Sequence, residues 1–304
     1  MANAERLSEM VHRLRAPNPG PMTLTGTNSY LVGAGREVAV IDPGPEIPAH
    51  LQDLVDTAQA IGATISLILI THGHPDHFPG AAKLHTMTSA PIAAFKNAEF
   101  AHDLSLKDGQ RVLVGDATLI ALYTPGHAVD HLCYFLEQED ALFTGDNILG
   151  EGTTAIAPPR GDMVTYLRSL HQLEQDWGHA EVIYPGHGPA ISDPTAKIQE
   201  YIQHRQLREQ QILQAIEADE NTIKQIVAQI YAQTDRRLWP AAARQVMAHL
   251  QKLQQEDKVT ATEIGFDAEE NALLNPDGLI DPVVAAELGF KSHTPEMSYR
   301  YQLV

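Results

Sequence analysis

The chain has 304 residues, 43% of them hydrophobic, and a formal net charge of -18 at pH 7. No apolar stretch approaches the roughly 18 residues a membrane-spanning helix needs, so no membrane span is expected. So large an acidic excess argues against a body that binds nucleic acid all over, because that takes clustered cations.

The charge is unevenly spread. Residues 1–194 hold 10 basic and 23 acidic side chains, net -13, and residues 261–304 hold 2 and 8, net -6. Residues 195–260 hold 9 and 8. The middle segment interrupts an otherwise acidic chain without forming a basic patch. Residues 1–21 mix Arg6, Arg13 and Arg15 with Glu5 and Glu9 and lack an apolar stretch, so no secretory signal is expected. The single cysteine, Cys133, excludes an intrachain disulfide and fits a reducing compartment, making the cytoplasm the expected location.

In chain order, the first 194 residues alternate short β-rich runs with loops punctuated by Gly and Pro. Residues 65–70 (ISLILI) read as a buried strand and lead into THGHPDH at 71–77. A helix follows Pro79-Gly80. Residues 117–123 lead into Thr124-Pro125-Gly126-His127, and 131–136, the polar turn 137–140 and 141–144 read as a β-hairpin ending at Thr144-Gly145-Asp146. A helix spans 163–175, and residues 180–184 lead into Pro185-Gly186-His187. Four strand ends thus deliver His or Asp, which is how α/β proteins assemble a site from distant sequence.

Beyond Pro194 the pattern is helical. Thr222 and Gln225 form a capping box, and Ile223, Ile226, Val227, Ile230 and Tyr231 give a core-facing stripe. Pro240 suits the first turn of a helix bearing Val246, Met247, Leu250 and Leu253, and residues 259–262 are β-like. This predicts a catalytic domain over 1–194, a small winged-helix-like domain over 195–265, and an irregular tail over 266–304 that includes Asn275-Pro276-Asp277-Gly278.

Imidazole and carboxylate at this density suit zinc or a similar divalent ion. Six histidines (His72, His74, His77, His127, His187 and His131) and two aspartates (Asp76, Asp146) exceed what one tetrahedral ion uses, which implies two ions. His72 and His74 point the same way from extended chain, while Asp76 and His77 diverge after Pro75. An isolated Pro-Gly-His would read as an ordinary exposed loop. Four such junctions together do not.

This pattern resembles the metallo-beta-lactamase superfamily, whose HxHxDH motif with distant His, Asp and His is matched at His72, His74, Asp76, His77, His127, Asp146 and His187. The resemblance implies an α/β protein with an αββα sandwich, the site at its rim. It implies that one metal takes His72, His74 and His127, that the other takes Asp76, His77 and His187, and that Asp146 bridges them. Asp42 matches a position that orients a metal-bound histidine, although a turn-forming Asp before Pro43-Gly44 accounts for it equally well. Segments 21–32, 145–154, 183–189 and 204–211 look like the β-lactamase-like protein 2 group, which includes an endoribonuclease of single-stranded RNA. Gly73 departs from the pattern, standing where Trp is often found.

Two metals about 3.5 to 4 Å apart can share a water and lower its pKa from about 15.7 towards about 7. The expected function is therefore a binuclear hydrolase using a metal-bridging hydroxide, with Asp76, Asp42 and Asn28 as catalytic candidates. The leading expectation is cleavage of single-stranded RNA, with Asn28, His131, Arg205 and Arg208 as substrate contacts and Arg236, Arg237, Arg244 and Lys252 as further cations. Those cations also read as ordinary solvated helix faces. The alternative is an acyl or thioester hydrolase, which the acidic charge favours. A mononuclear-iron sulfur dioxygenase and a regulatory binding module rank lower, because the dinuclear ligand set is complete. Glyoxalase II lacks its cationic glutathione segment here, and a true β-lactamase lacks its export signal. A homodimer stands open as a further partner.

Overall fold

The central strands carry large apolar side chains on both faces, so each must be covered twice, and that requirement builds the architecture. The structure, a computed structural model, describes residues 4–274 and 298–304. One seven-stranded sheet runs in the order β1 (Glu5–Arg6), β2 (Val11–Arg15), β3 (Asn28–Val32), β4 (Glu37–Ile41), β5 (Thr64–Leu69), β6 (Ile92–Phe95), β7 (Leu104–Leu106). A five-stranded sheet runs β12 (Val182–Pro185), β11 (Ala141–Gly145), β10 (Leu132–Leu136), β9 (Ala117–Tyr123), β8 (Gln110–Val114).

Alternation along the strands assigns each side chain to a layer. Tyr30, Val32, Ala39, Ile41 and Leu69 point into one core with Leu119, Tyr134, Phe143 and Tyr184 of the second sheet. Leu31, Val38, Val40 and Ile68 point the other way, against Leu51 and Leu54 of α1 (Pro48–Ala60) and Leu84 of α2 (Gly80–Thr88). Beyond the second sheet, Phe135 meets Trp177 of α3 (Met163–Trp177) at 4.5 Å between rings. The layers are helix, sheet, sheet and helix, as the αββα expectation has it.

Pairing directions place the site. β4 and β5 are parallel, β11 and β12 are parallel, and β9 and β11 both run antiparallel to β10. The C-terminal ends of β9, β11 and β12 therefore share one rim of the second sheet, as those of β4 and β5 do in the first. The predicted hairpin closes at Leu136 opposite Ala141.

The chain divides by contacts into two compact units, Met1–Thr154 with Ser169–Tyr201, and Ala155–Arg168 with Ile202–Val304. The sequence drew its boundary at Pro194, where helix α4 (Pro194–Glu217) begins, because composition marks where a helix starts rather than where contacts divide. In the second unit, α5 (Ile223–Ile230) opens on the Thr222/Gln225 capping box, and α6 (Trp239–Gln255) has Pro240 in its first turn.

The irregular tail is corrected for the residues described. α7 (Ala268–Leu274) is capped by Asp267, whose Oδ1 accepts the amides of Glu269 and Glu270, and β13 (Val259–Gly265) pairs antiparallel with β14 (Ser298–Leu303). β14 alternates Tyr299 and Tyr301, packed with the helical core, against Arg300 and Gln302, a six-residue pattern too short to stand out at a chain end. The turn-like 275–278 segment lies outside the described residues. Among those described, no helix is long and apolar enough to cross a membrane. Tyr301 is fully buried, so Tyr301→Ala should destabilise the protein by about 3 kcal/mol in denaturant unfolding. A change below about 1 kcal/mol would mean that β14 is not part of this core.

Candidate metal centre

Five chain segments meet at the strand ends. His72, His74, Asp76 and His77 follow β5, His127 follows β9, Asp146 follows β11, His187 follows β12, and Asp42 follows β4. His72, His74, His127 and Asp146 form one group of converging donor atoms, and Asp76, His77, Asp146 and His187 form a second, each within 4.8 Å of one another. In the first, His74 Nδ1 lies 2.9 Å from His72 Nε2 and 3.0 Å from His127 Nε2. In the second, His187 Nε2 lies 3.1 Å from Asp76 Oδ2 and 3.3 Å from His77 Nε2.

Asp146 belongs to both groups. Its Oδ2 is 3.8 Å from His127 Nε2, while its Oδ1 is 3.4 Å from His77 Nε2 and 3.3 Å from His187 Nε2. That Oδ1 is buried without a hydrogen-bond partner. Imidazole nitrogens converging within hydrogen-bond distance of one another, beside a buried carboxylate oxygen that no hydrogen bond satisfies, form an arrangement that a divalent cation would satisfy. The donor set fits divalent metal.

The far ring nitrogens explain why the near ones converge. His77 Nδ1 is 2.8 Å from Asp42 Oδ2, His72 Nδ1 is 2.9 Å from Thr71 Oγ1, His127 Nδ1 is 3.2 Å from Thr154 Oγ1, and His187 Nδ1 is 3.4 Å from Gly26 O. Asp42 also accepts Thr71 N at 2.8 Å and Thr71 Oγ1 at 2.7 Å. One carboxylate thus ties the end of β4 to the histidine loop, acting through His77. Close approach requires glycine at two places. A Cβ on Gly145, whose φ is +46, would lie 2.7 Å from Thr71 Oγ1, and one on Gly186 would lie 2.5 Å from Asp146 Oδ1.

The two groups respond oppositely to burial. It pushes His72 well below the usual imidazole range and His74 down to about 3, with the neighbouring histidines adding to the effect. Burial also opposes charge on His77 and His187, but the carboxylates outweigh it. Asp146, Asp76 and Asp42 raise His77 well above its usual range, and Asp146 and Asp76 raise His187 to about 9. The same contacts hold Asp146 and Asp76 ionised against the burial that would raise them.

Four candidates turn to neighbouring groups. Asn28 is fully buried, and its amide donates to Pro185 O and Gly188 O, both at 2.9 Å, so it grips the backbone around His187 instead of meeting substrate. Tyr30 Oη joins it on Pro185 O at 2.7 Å. His131 is fully buried as well, its ring stacked on His72 at 5.0 Å, its Nδ1 3.0 Å from Thr124 Oγ1 and its Nε2 accepting Asp146 N at 3.2 Å. It orients the backbone of Asp146. Arg205 is buried in the second unit, over the Tyr166 ring at 5.4 Å and bonded to Gln245, and Arg208 lies over Tyr231 at 4.2 Å. All four share a reason: a polar residue at a strand end or on a helix reads alike whether it faces solvent or neighbouring groups of the fold.

Sequence reasoning missed Thr71 and Thr154, whose hydroxyls carry no signal of their own. Gly73 has a structural account. A Cβ there would lie 3.3 Å from the Phe100 ring and 3.0 Å from Asp130 Oδ2, and Phe100 stacks on Phe78 at 4.5 Å. Phe100 occupies the space a side chain at 73 would need.

Two outcomes follow. Asp42→Asn should weaken metal binding at the Asp76, His77, Asp146 and His187 group about 10- to 100-fold, read by competitive chelator titration; unchanged affinity would remove Asp42 from the support of His77. Because His187 is protonated below about 9, metal must displace a proton there, so affinity should rise with pH towards that value. Calorimetry in buffers of differing ionisation enthalpy should show the release, and a buffer-independent enthalpy would contradict it.

Comparison with known proteins agrees with this geometry. Residues 22–187 match the family model of the metallo-beta-lactamase superfamily, and residues 222–266 match the beta-lactamase associated winged helix domain. The chain is 37% identical over 260 residues to a Beta-lactamase-like protein 2 homolog of Caenorhabditis elegans, covering 82% of this chain and 85% of that one. It is 40% identical over 217 residues to an Atrochrysone carboxyl ACP thioesterase of Aspergillus chevalieri, covering 71% and 68%. A solved metallo-beta-lactamase family protein from Thermus thermophilus superposes with a TM-score of 0.72 at 22% identity, covering 98% of this chain and all of that one, a likeness of fold. With a family match across more than half its length, and the histidines and aspartates of that motif converging as described, the chain belongs to the metallo-beta-lactamase superfamily, whose members are metal-dependent hydrolases.

Proposed function

We propose that the protein is a binuclear metal-dependent hydrolase acting on an acyl thioester. The observation that carries the binuclear reading is the shared Asp146 carboxylate, with one oxygen toward each ligand group. His72, His74 and His127 would hold one divalent ion, Asp76, His77 and His187 the other, and Asp146 both, with zinc expected from the nitrogen and oxygen donors. Bound there, such ions would acidify water and polarise an electrophilic carbonyl.

The chain's own side chains do the rest. Asp42 and Thr71 keep His77 and His72 aimed inward. Asp76, a quarter exposed and held ionised, is the carboxylate best able to receive a proton from attacking water. Asn28 and His131 are positioning residues for His187 and Asp146. The Phe78 and Phe100 pair beside Gly73 offers an apolar wall for the acyl part.

Two observations favour the thioester over RNA. Arg205 is buried over Tyr166 and bonded to Gln245 within its own unit, which removes it from the cations an RNA footprint would use. A charge of -18 repels a polyanion. The similarity to a relative named as a thioesterase supports the same choice. Single-stranded RNA cleavage is the second reading, favoured by the resemblance to the β-lactamase-like protein 2 group and by the breadth of the match to its worm homologue.

Metal analysis should return about two zinc or manganese ions per chain, and about one iron with no hydrolysis would favour the oxidative alternative. Turnover of acyl thioesters should exceed that of labelled single-stranded RNA, and His74→Ala should lower it more than the roughly 100-fold expected from loss of an outer partner. RNA turnover that alone responds to His74→Ala would establish the second reading, and no response with either substrate would remove both.

A further inference from the structure

In the second unit, α6 and the part of α4 from Ile202 onward carry a cluster of basic side chains that the hydrolytic site does not use. Two cross-helix bonds set their register. Arg205 Nη1 donates to Gln245 Oε1 at 3.3 Å, and Lys252 Nζ donates to Glu209. Residues 245, 249 and 252 share one face of α6 at i, i+4 and i+7, and 205, 208 and 209 share one face of α4. His249 and Arg208 therefore lie between the two rungs.

The charges there do not balance. Lys252 and Lys258 both bond Glu209 and Glu256, two cations on two carboxylates. Arg208 has no carboxylate within ion-pair distance among the described residues, only the face of Tyr231, and its Nη1 is buried without a hydrogen-bond partner. His249 is 1% exposed, and neither of its ring nitrogens has a partner. Burial, with the charges of Arg205, Lys252 and Arg208 behind it, holds that imidazole well below its usual range.

Buried polar atoms nearly always have partners, and these three lie in one cationic cluster. A water could satisfy the histidine, but it would leave the arginine without countercharge. An acceptor bearing negative charge answers both needs, and a guanidinium fork suits the paired oxygens of a tetrahedral oxyanion.

We propose that Arg208 and His249 bind a small oxyanion, a phosphoryl group, between α4 and α6 of the second unit. The full burial of His249 beside the half-buried Arg208 favours free phosphate over a group carried on a large molecule. The site does not depend on the metal centre.

The test is calorimetric titration of inorganic phosphate into the full chain at constant ionic strength, after chelation of metal so that the hydrolytic centre does not contribute. The wild type should bind phosphate at one site, and Arg208→Met and His249→Leu should each weaken it at least about tenfold. Should either variant fail to fold by circular dichroism, Arg208→Lys, which keeps the charge and loses the fork, and His249→Gln replace them, with the same expectation. A 5′-phosphorylated dinucleotide forms the second arm. Binding of phosphate alone identifies a free anion site, and binding of both identifies a terminal phosphoryl group. No phosphate binding by the metal-free wild type, or undiminished binding by the Arg208 and His249 variants, overturns the proposal.

Discussion

The structure depends on charge compensation at one buried point. Asp146, Asp76 and Asp42 all meet His77, directly or through neighbours, in a region where His77 and His187 are fully buried. Carboxylates do not stay ionised there alone, because transfer from water is costly without a partner. The carboxylates accordingly raise the imidazoles of the second group above their usual range, while burial and neighbouring histidines lower those of the first. That asymmetry follows from the carboxylates lying on one side, with only the second oxygen of Asp146 turned toward the other.

Holding that arrangement takes more of the fold than the ligands themselves. Residues 185–188 are tied down by the Asn28 amide, the Tyr30 hydroxyl, the bond from Asn28 N to Gly186 O, and the bond from Gly186 N to Gly145 O. Tyr134 Oη reaches Ile70 O at 2.7 Å, and Leu132 N bonds Thr71 O at 2.7 Å, so the second sheet grips the strand that carries the histidine loop. The two sheets pack through Tyr30, Phe143 and Tyr184, whose rings lie 5.2 to 5.7 Å apart directly beneath these bonds. Core packing and metal-site geometry are therefore one problem here, and a ligand loop shifts only if the aromatic layer below it does.

Much was legible beforehand. The motif at 71–77 with His127, Asp146 and His187 named every member of the two donor groups, and the short β-rich runs named the strands that carry them. Asn28, His131 and Arg205 were legible as polar and close to important segments, but not in direction. Asn28 lies at the start of β3, where Thr27, Asn28 and Ser29 are all fully buried, and the approach of residues 185–188 makes its amide internal. Likewise β14 gained its place from Tyr301 meeting a core built by α5 and α6.

What the sequence by itself determined was local: which segments are strands or helices, where each ends, and which metal-seeking side chains sit at those ends, because hydrophobic period, caps and ligand chemistry are properties of neighbouring residues. Tertiary structure alone decided which histidines share a group, that Asp146 turns one oxygen to each, that Asn28 and His131 turn to neighbouring backbone, and that a half-buried Arg208 lies near a fully buried His249. Those outcomes depend on contacts between residues far apart in the chain, 160 positions for Asn28 and Gly188, whose distances are set when two sheets and their helices exclude water from a common core.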